Sequence, residues 1–306
     1  MKTPFHCMVL DLSRSTEPRA PMPRRLLGIE VTDARLARAC GLGNIDPQHG
    51  FGGGSGRAAI EAAIDWPLPP PEASLITLRA DADALGAMAI LRLRAEGVDL
   101  SSVIRARIAF IACHDAFENG DWTEWLAQRG PLPQPATASD VTTAPLAYRA
   151  LTALAQDRSM VVDQRVESIR HWLKTGALPQ AAVDAAWTYA ATLAAAWNRE
   201  SVHIEAYGQG RIALVRGDVP GGLQLAYRVA PVVFAETRSH GARKVTIAQF
   251  SPGWADFGAL QRRLSELEPG WGGSATILGS PLAEGTRLAT GEILVALEQA
   301  LGHRSA

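Results

Sequence analysis

Residues 74–97 read SLITLRADADALGAMAILRLRAEG, and this stretch indicates the fold class most clearly. An apolar β-run ends in Asp81-Ala82-Asp83, and a segment with helical periodicity begins almost at once. In open α/β sheets, ligands bind at the edge formed by the carboxyl ends of the buried strands. Two aspartates one residue apart offer hard oxygen ligands, and their like charges need a cation or hydrogen-bond donors nearby. They predict a divalent-metal site, although an aspartate here can also simply cap a helix.

Length and charge narrow the classes of partner. The chain has 306 residues, which is enough for a large core and predicts two domains. Its net charge of -1 and charged fraction of 20% give no overall field that would attract nucleic acid or an anionic membrane. We therefore expect a small anionic substrate, no membrane partner and no binding of long nucleic acid. A homodimer is left open.

Cysteine usage indicates the compartment. Cys7, Cys40 and Cys113 are odd in number and lack C-x-x-C spacing, which argues against a disulfide framework and a structural zinc site. The first 13 residues contain no long apolar segment, and no predicted helix is an uninterrupted apolar span. The sequence therefore predicts a cytoplasmic protein.

A second unusual stretch, residues 41–56, is rich in glycine and contains Asp46-Pro-Gln-His49. A carboxylate and an imidazole three residues apart form a compact pair that can bind a metal. The alternative is that the proline only initiates a turn and that the histidine is solvated. Because other acidic and imidazole residues lie nearby in sequence, we interpret Asp46 and His49 as candidate ligands.

A second β-run is predicted at residues 103–113, and it ends in His114-Asp115. The arrangement repeats that of the first run, with residues that can bind a metal after a buried strand. If the two strands are neighbours, His114 and Asp115 lie close to Asp81 and Asp83. We interpret His114 as a metal ligand or general acid, with an inert histidine under the sheet as the alternative.

The chain divides into three predicted parts, separated by Pro- and Gly-rich residues near 130 and by a change of period near 201. These parts are an α/β metal-binding domain at residues 1–130, a helical connector at 131–200 and an α+β substrate-binding domain at 201–306. The connector is predicted to contain helices at residues 145–156, 161–174 and 179–199. The fold class is therefore α/β, with a mostly parallel N-terminal sheet, a helical connector and a smaller α+β C-terminal domain.

Basic residues near strand ends, together with a glycine-rich loop at residues 270–274, predict an anion-binding surface. A single exposed arginine is usually solvated and binds nothing. The prediction therefore depends on the basic residues together and not on any one arginine. The candidate substrate-binding residues are Arg79, Arg228, Arg243, Lys244, Gly272, Gly273 and Ser274.

Residues 79–87, RADADALGA, resemble the first metal motif of DHH-type phosphoesterases, in which a strand ends in D-x-D and a small-residue turn enters a helix. Residues 201–306 also resemble the DHH-associated substrate domain. The resemblance implies two divalent metals, typically manganese, and hydrolysis of phosphoesters or phosphoanhydrides of small nucleotides, short oligonucleotides or polyphosphate. The chain has no literal Asp-His-His, so the equivalent ligands would come from Asp46 with His49 and His114 with Asp115.

The leading hypothesis is a metal-dependent hydrolase, specifically a phosphoesterase, with His114 and Asp115 as its catalytic residues. A second hypothesis keeps the metal but cleaves a C–N bond in an amide or a ring. A third is a non-catalytic ligand-binding protein with a DHH-like fold. In the leading hypothesis one or two Mn²⁺ or Mg²⁺ ions are bound by Asp46, His49, Asp81, Asp83, His114 and Asp115.

Overall fold

A computed structural model describes most of the chain. The described residues are 5–10, 25–46, 57–115, 145–198, 203–216, 223, 226–227, 229–239, 241–250, 252–281 and 285–302. They form two compact units, of which one ends at Trp187 and the other begins at Thr188. The division into a metal-binding domain, a connector and a substrate-binding domain stays a prediction.

The first unit contains a four-stranded parallel sheet with the strand order β1-β4-β2-β3. Strands β2 and β4 lie in the middle and are buried along their whole length. Because the strands are parallel, all their carboxyl ends lie at one edge of the sheet. The strand bounds are β1 His6–Val9, β2 Leu26–Ile29, β3 Asn44–Ile45 and β4 Ser74–Thr77.

Helix α3 is the central helix of this unit, and every residue from Ala82 to Leu93 is buried. It packs against α2, α4, α5 and α6. Gly86 permits the close approach of α2, because a Cβ atom at this position would lie 2.6 Å from Cδ1 of Ile60. The helix bounds are α1 Ala34–Ala39, α2 Ala59–Ala62, α3 Ala82–Ala95, α4 Ser102–Asp115, α5 Pro145–Gln156, α6 Val162–Thr175 and α7 Gln180–Asn198.

Residues 103–113 form helix α4, so the predicted second strand is wrong. The run contains β-branched residues and alternates well enough to match a strand. It also places Ile104, Ile108 and Ile111 at helical spacing, and these three are buried while Val103 is exposed. His114 and Asp115 consequently lie at the end of a helix.

The second unit contains a six-stranded mixed sheet with the order β5-β6-β7-β8-β10-β9, in which β6 and β7 are parallel and the other neighbours antiparallel. Helices α8 and α9 contribute buried residues to the core on one face of this sheet. The alternating pattern of residues 223–237 predicts a single strand, but Leu223 and Ala226 are helical and the strand begins only at Val232. The element bounds are β5 His203–Tyr207, β6 Ile212–Arg216, β7 Val232–Ser239, β8 Ala242–Gln249, α8 Phe257–Leu267, β9 Gly272–Gly273, β10 Ile277–Gly279 and α9 Thr290–Ala300.

The predicted fold class is confirmed. A parallel sheet with helices precedes a mixed sheet, against which α8 and α9 pack. Within the described part of the chain, no helix is both long enough and apolar enough to cross a membrane.

Candidate metal centre

Acidic residues follow three neighbouring strands of the parallel sheet. Glu30 comes directly after β2, Asp46 directly after β3, and β4 leads to Asp81 and Asp83 at the start of α3. Since the carboxyl ends of parallel strands share one edge, the topology brings these acids to the same side of the sheet.

Three of the acids form what we call the carboxylate cluster, which consists of Glu30, Asp83 and Asp115. One carboxylate oxygen from each lies within 4.8 Å of the other two. Asp115 reaches the cluster from the last turn of α4. Oxygens bound to one divalent ion at about 2.0–2.6 Å lie at most about 4–5 Å apart, so the spacing fits a single shared ion.

Asp83 and Asp81 both also accept backbone hydrogen bonds. Asp83 is fully buried and accepts from the N–H groups of Ala59 (2.7 Å) and Ile60 (2.9 Å). It thus caps the start of α2, although it belongs to α3. Asp81 caps its own helix by accepting from the N–H of Ala84 at 2.8 Å. Asp81 therefore caps α3, and its role as a metal ligand stays a prediction. A carboxylate has about four acceptor sites, so these bonds leave room for a cation.

The backbone of Glu30 adopts the left-handed region with a φ of 51°, which costs free energy in a glutamate. Neighbouring contacts hold it there. The Glu30 N–H donates to the carbonyl of Ile45 at 2.8 Å. The Asn44 side chain binds Val31 twice, accepting from its N–H at 3.2 Å and donating to its carbonyl at 3.0 Å. Strain held by its surroundings is typical of functional residues.

Electrostatics at this edge of the sheet are unfavourable without a cation. Burial, followed by the charges of Asp83, Asp81, Asp115 and Asp46, raises the pKa of Glu30 to about 10. Burial and the charge of Asp115 raise the pKa of Asp83 well above its usual range. Burial also raises the pKa of Asp81, against the lowering effects of the Ala84 N–H and of Arg79.

We predict that the stability of the metal-free protein falls as pH rises from about 5 to about 9. In this window folded Glu30 keeps a proton that the unfolded chain, with a pKa of about 4.3, has already lost. Because the folded state binds more protons, the free energy of unfolding falls by up to about 1.4 kcal/mol per pH unit. Urea unfolding in EDTA across this range measures it, and a flat or rising profile would contradict the prediction.

His114 and Tyr148 form an aromatic wall next to the cluster. The His114 ring stacks on Tyr148 of helix α5, with centroids 4.8 Å apart and planes at 16°. Phe110 contacts His114 edge-on at 4.5 Å, and its own centroid lies 6.1 Å from that of the buried Trp172. The four rings form a continuous row from the core of the unit to the site.

The phenol of Tyr148 lies among the same charges as Glu30. Burial comes first, followed by the charges of Asp115, Asp81, Asp83 and Glu30, and together they raise the pKa of Tyr148 well above its usual value. The phenol is therefore a neutral hydrogen-bond donor beside a group of acceptors.

The structure places the other predicted residues of the first unit as follows. Arg79 is exposed, and its charge acts on Asp81. Asp46 and Asp81 contribute charge at Glu30. Among the described residues, the three-oxygen group that could hold an ion contains Asp83 and Asp115, so the ligand roles of Asp46, Asp81 and His114 stay predictions. His49 lies outside the described residues.

In the second unit, the predicted cations contact the protein itself. Arg243 donates to Glu236 (2.8 Å), to Oγ1 of Thr290 (2.6 Å) and to the carbonyl of Leu288 (2.5 Å). Lys244 donates to the carbonyl of Pro281 at 2.9 Å. Arg228 lies outside the described residues.

The glycine-rich loop forms a small hairpin, in which Gly272 and Gly273 make strand β9 and pair with β10. Gly273 has a φ of 157°, and a Cβ atom there would lie 2.0 Å from the carbonyl oxygen of Ile277. The Ser274 N–H donates to that same oxygen at 2.7 Å. Packing alone explains why a glycine occupies position 273, and substrate binding by this loop stays a prediction.

The sequence interpretation missed Glu30 and Tyr148. The signal for Glu30 was present, because the short apolar run Leu26–Ile29 is followed at once by an acid. Tyr148 gave no local signal. It reaches the site only because α5 packs against α3 and α4.

Comparisons with known proteins find structural similarity alone. No family model and no curated protein matches the chain. Among solved structures, CDC45 from Entamoeba histolytica is similar over 70% of this chain with a TM-score of 0.37 and 9% identity, and this chain spans 50% of its length. The pGpG-specific phosphodiesterase PggH from Vibrio cholerae is similar over 90% of this chain and 98% of its own, with a TM-score of 0.41 and 12% identity.

Proposed function

We propose that this protein is a metal-dependent hydrolase, a DHH-like phosphoesterase that acts on a small, anionic, nucleotide-like substrate. The observation that carries the proposal is the carboxylate cluster, with three oxygens from three separate elements within 4.8 Å of one another. Buried like charges are costly unless a cation or a proton offsets them. Oxygen ligands of this kind suit Mn²⁺ or Mg²⁺.

In this proposal Glu30, Asp83 and Asp115 bind the cation, and Asp46 and Asp81 add negative charge around it. When bound, a divalent cation supplies Lewis-acid polarisation of the substrate and lowers the pKa of a coordinated water. The hydrogen bonds from α2 to Asp83 and the strained backbone of Glu30 fix the positions of these carboxylates before any ion arrives.

The phosphoester bond is proposed from the resemblance of residues 79–87 to the D-x-D motif of DHH-type enzymes. The same cation could polarise a carbonyl instead, so hydrolysis of an amide or ring remains the alternative reaction. A screen of nucleotide phosphodiesters, phosphoanhydrides and cyclic amides, each with EDTA or added Mn²⁺, separates the two. Turnover of phosphoesters that EDTA abolishes and Mn²⁺ restores is the expected result.

Asp115→Asn tests the cation site directly, with Asp99→Asn as the matched control. Asp99 is an exposed aspartate in the turn before α4. We expect Asp115→Asn to weaken Mn²⁺ binding, measured by calorimetry, by at least about 100-fold and to lower kcat/KM to a similar degree. Asp99→Asn should match the wild type. Wild-type protein that takes up no divalent ion on titration would refute the proposal.

One observation favours a non-catalytic protein as the second candidate. Asp81 and Asp83 both act as helix caps, which is a structural use of the D-x-D motif. If this use is their only one, gently purified protein contains no bound transition metal, and Asp115→Asn leaves ligand binding unchanged.

A further inference from the structure

Helix α5 supplies the site with a hydrogen-bond donor that no motif in the sequence predicts. We propose that Tyr148 is a substrate-contacting residue, whose hydroxyl donates a hydrogen bond to a phosphoryl oxygen of an anion bound at the carboxylate cluster. The inference rests on the proposed function and deepens it, because it assigns a residue that recognises the phosphate itself.

The ring of Tyr148 is held in position by neighbouring aromatic rings. Tyr148 stacks nearly parallel on His114. Phe110, which like His114 belongs to α4, contacts the His114 ring edge-on. Behind Phe110 lies Trp172, which is 1% exposed. Aromatic contacts at these distances stabilise particular ring orientations. The neighbouring rings therefore hold the ring of Tyr148 in place beside His114.

The ring of Tyr148 lies next to the carboxylate cluster, because it stacks on His114, the residue before Asp115, with centroids 4.8 Å apart. Burial and the charges of Asp115, Asp81, Asp83 and Glu30 raise the pKa of its phenol, in agreement with this position.

A phenol hydroxyl complements the carboxylates chemically. Ionised carboxylates only accept hydrogen bonds, so they hold a cation well but offer nothing to the remaining oxygens of a bound phosphate. A phosphate among such groups requires donors as well as the cation. A neutral phenol supplies one without adding negative charge, and the phenol of Tyr148 stacks on His114, the residue before Asp115 of the cluster.

Tyr148→Phe is the test variant, because it removes the hydroxyl and keeps the ring that stacks on His114. Tyr227→Phe is the matched control. Tyr227 lies in the second unit, packs edge-on against Phe250 at 5.7 Å, and has a buried hydroxyl that no described residue pairs with. Each variant loses one phenol oxygen, but only Tyr148→Phe loses it next to the carboxylate cluster. Thermal unfolding midpoints close to that of the wild type confirm that both are folded.

The probes are Mn²⁺ alone, inorganic phosphate with Mn²⁺-loaded protein, and bis(p-nitrophenyl) phosphate as a generic phosphodiester. We expect Tyr148→Phe to bind Mn²⁺ within about twofold of the wild type and to bind phosphate about tenfold or more weakly, the loss typical of a hydrogen bond to a charged group. Its kcat/KM should fall by a similar factor. Tyr227→Phe should match the wild type in all three.

Two results would overturn the inference while the proposed function stands. The first is phosphate binding by Tyr148→Phe as tight as that of the wild type. The second is an equal loss of Mn²⁺ and phosphate binding, which would make Tyr148 a positioning residue for Asp115. A wild-type protein that binds Mn²⁺ and phosphate no better than Asp115→Asn would overturn the proposed function and the inference together.

Discussion

Glu30→Gln is expected to stabilise the metal-free protein and, at the same time, to remove its affinity for Mn²⁺. The substitution keeps the size of the side chain and replaces a carboxyl group whose pKa is raised to about 10 by burial and four neighbouring acids, so folding no longer requires the uptake of a proton at this position. At about pH 8 we expect the free energy of unfolding in EDTA to rise by about 1–3 kcal/mol. Saturating Mn²⁺ should stabilise the wild type by about 3 kcal/mol at 100 times Kd and leave the variant unchanged.

Glu72→Gln is a control matched in both residue type and backbone. Glu72 also has a left-handed backbone, with a φ of 70°, but it is exposed and not part of the carboxylate cluster. Its substitution should alter neither the stability in EDTA nor the response to Mn²⁺. Urea unfolding of the three proteins, with and without Mn²⁺, gives the comparison. If Glu30→Gln destabilises the metal-free protein, Glu30 has a structural role and the cluster does not require a cation.

The helices were the easiest part of the fold to predict. The predicted helix at residues 145–156 has the observed bounds of α5, and Gly176 ends α6 in the left-handed conformation expected of a helix terminus. These features are local, because a helix needs only its own periodicity and capping residues. The aspartates of the D-x-D motif could be predicted as candidate ligands for the same reason, because the signal lies within one short stretch of sequence.

The errors came from interactions that are distant in sequence. The apolar run before His114 matches both a strand and a helix, and its packing on α2 and α3 selects the helix. Strand β2 is only four residues long and contains Gly28, which makes it a weak strand signal. That glycine is needed because a Cβ atom would lie 2.5 Å from Oδ1 of Asn44. Asn44 in turn holds the backbone next to Glu30. The contact that positions Glu30 therefore requires the glycine that weakens the strand signal, and for this reason neither β2 nor Glu30 was predicted.

A buried ion pair ties the N-terminal strand to two helices of the first unit. Arg92 of α3 is 1% exposed and donates to the side chain of Asp163 on α6 and, at 2.9 Å, to the carbonyl of Phe5. Asp163 also accepts from the N–H of Cys7 at 3.2 Å and lies 3.2 Å from Nδ1 of His6. One carboxylate thus connects β1, α3 and α6, and it is the group that offsets a fully buried guanidinium.

Asp163→Ala should lower the free energy of unfolding by about 3–5 kcal/mol, because it leaves the buried cation of Arg92 without its carboxylate. Arg92→Met should cost less, since Asp163 keeps 33% exposure and can be hydrated. The double variant should be more stable than Asp163→Ala alone, because it no longer buries an unpaired charge. Asp65→Ala, which breaks the exposed pair with Arg57, serves as the control and should have little effect. Chemical unfolding of all four variants measures these differences. A double variant less stable than Asp163→Ala would show that the packing of the Arg92 side chain, and not its charge, stabilises this part of the unit.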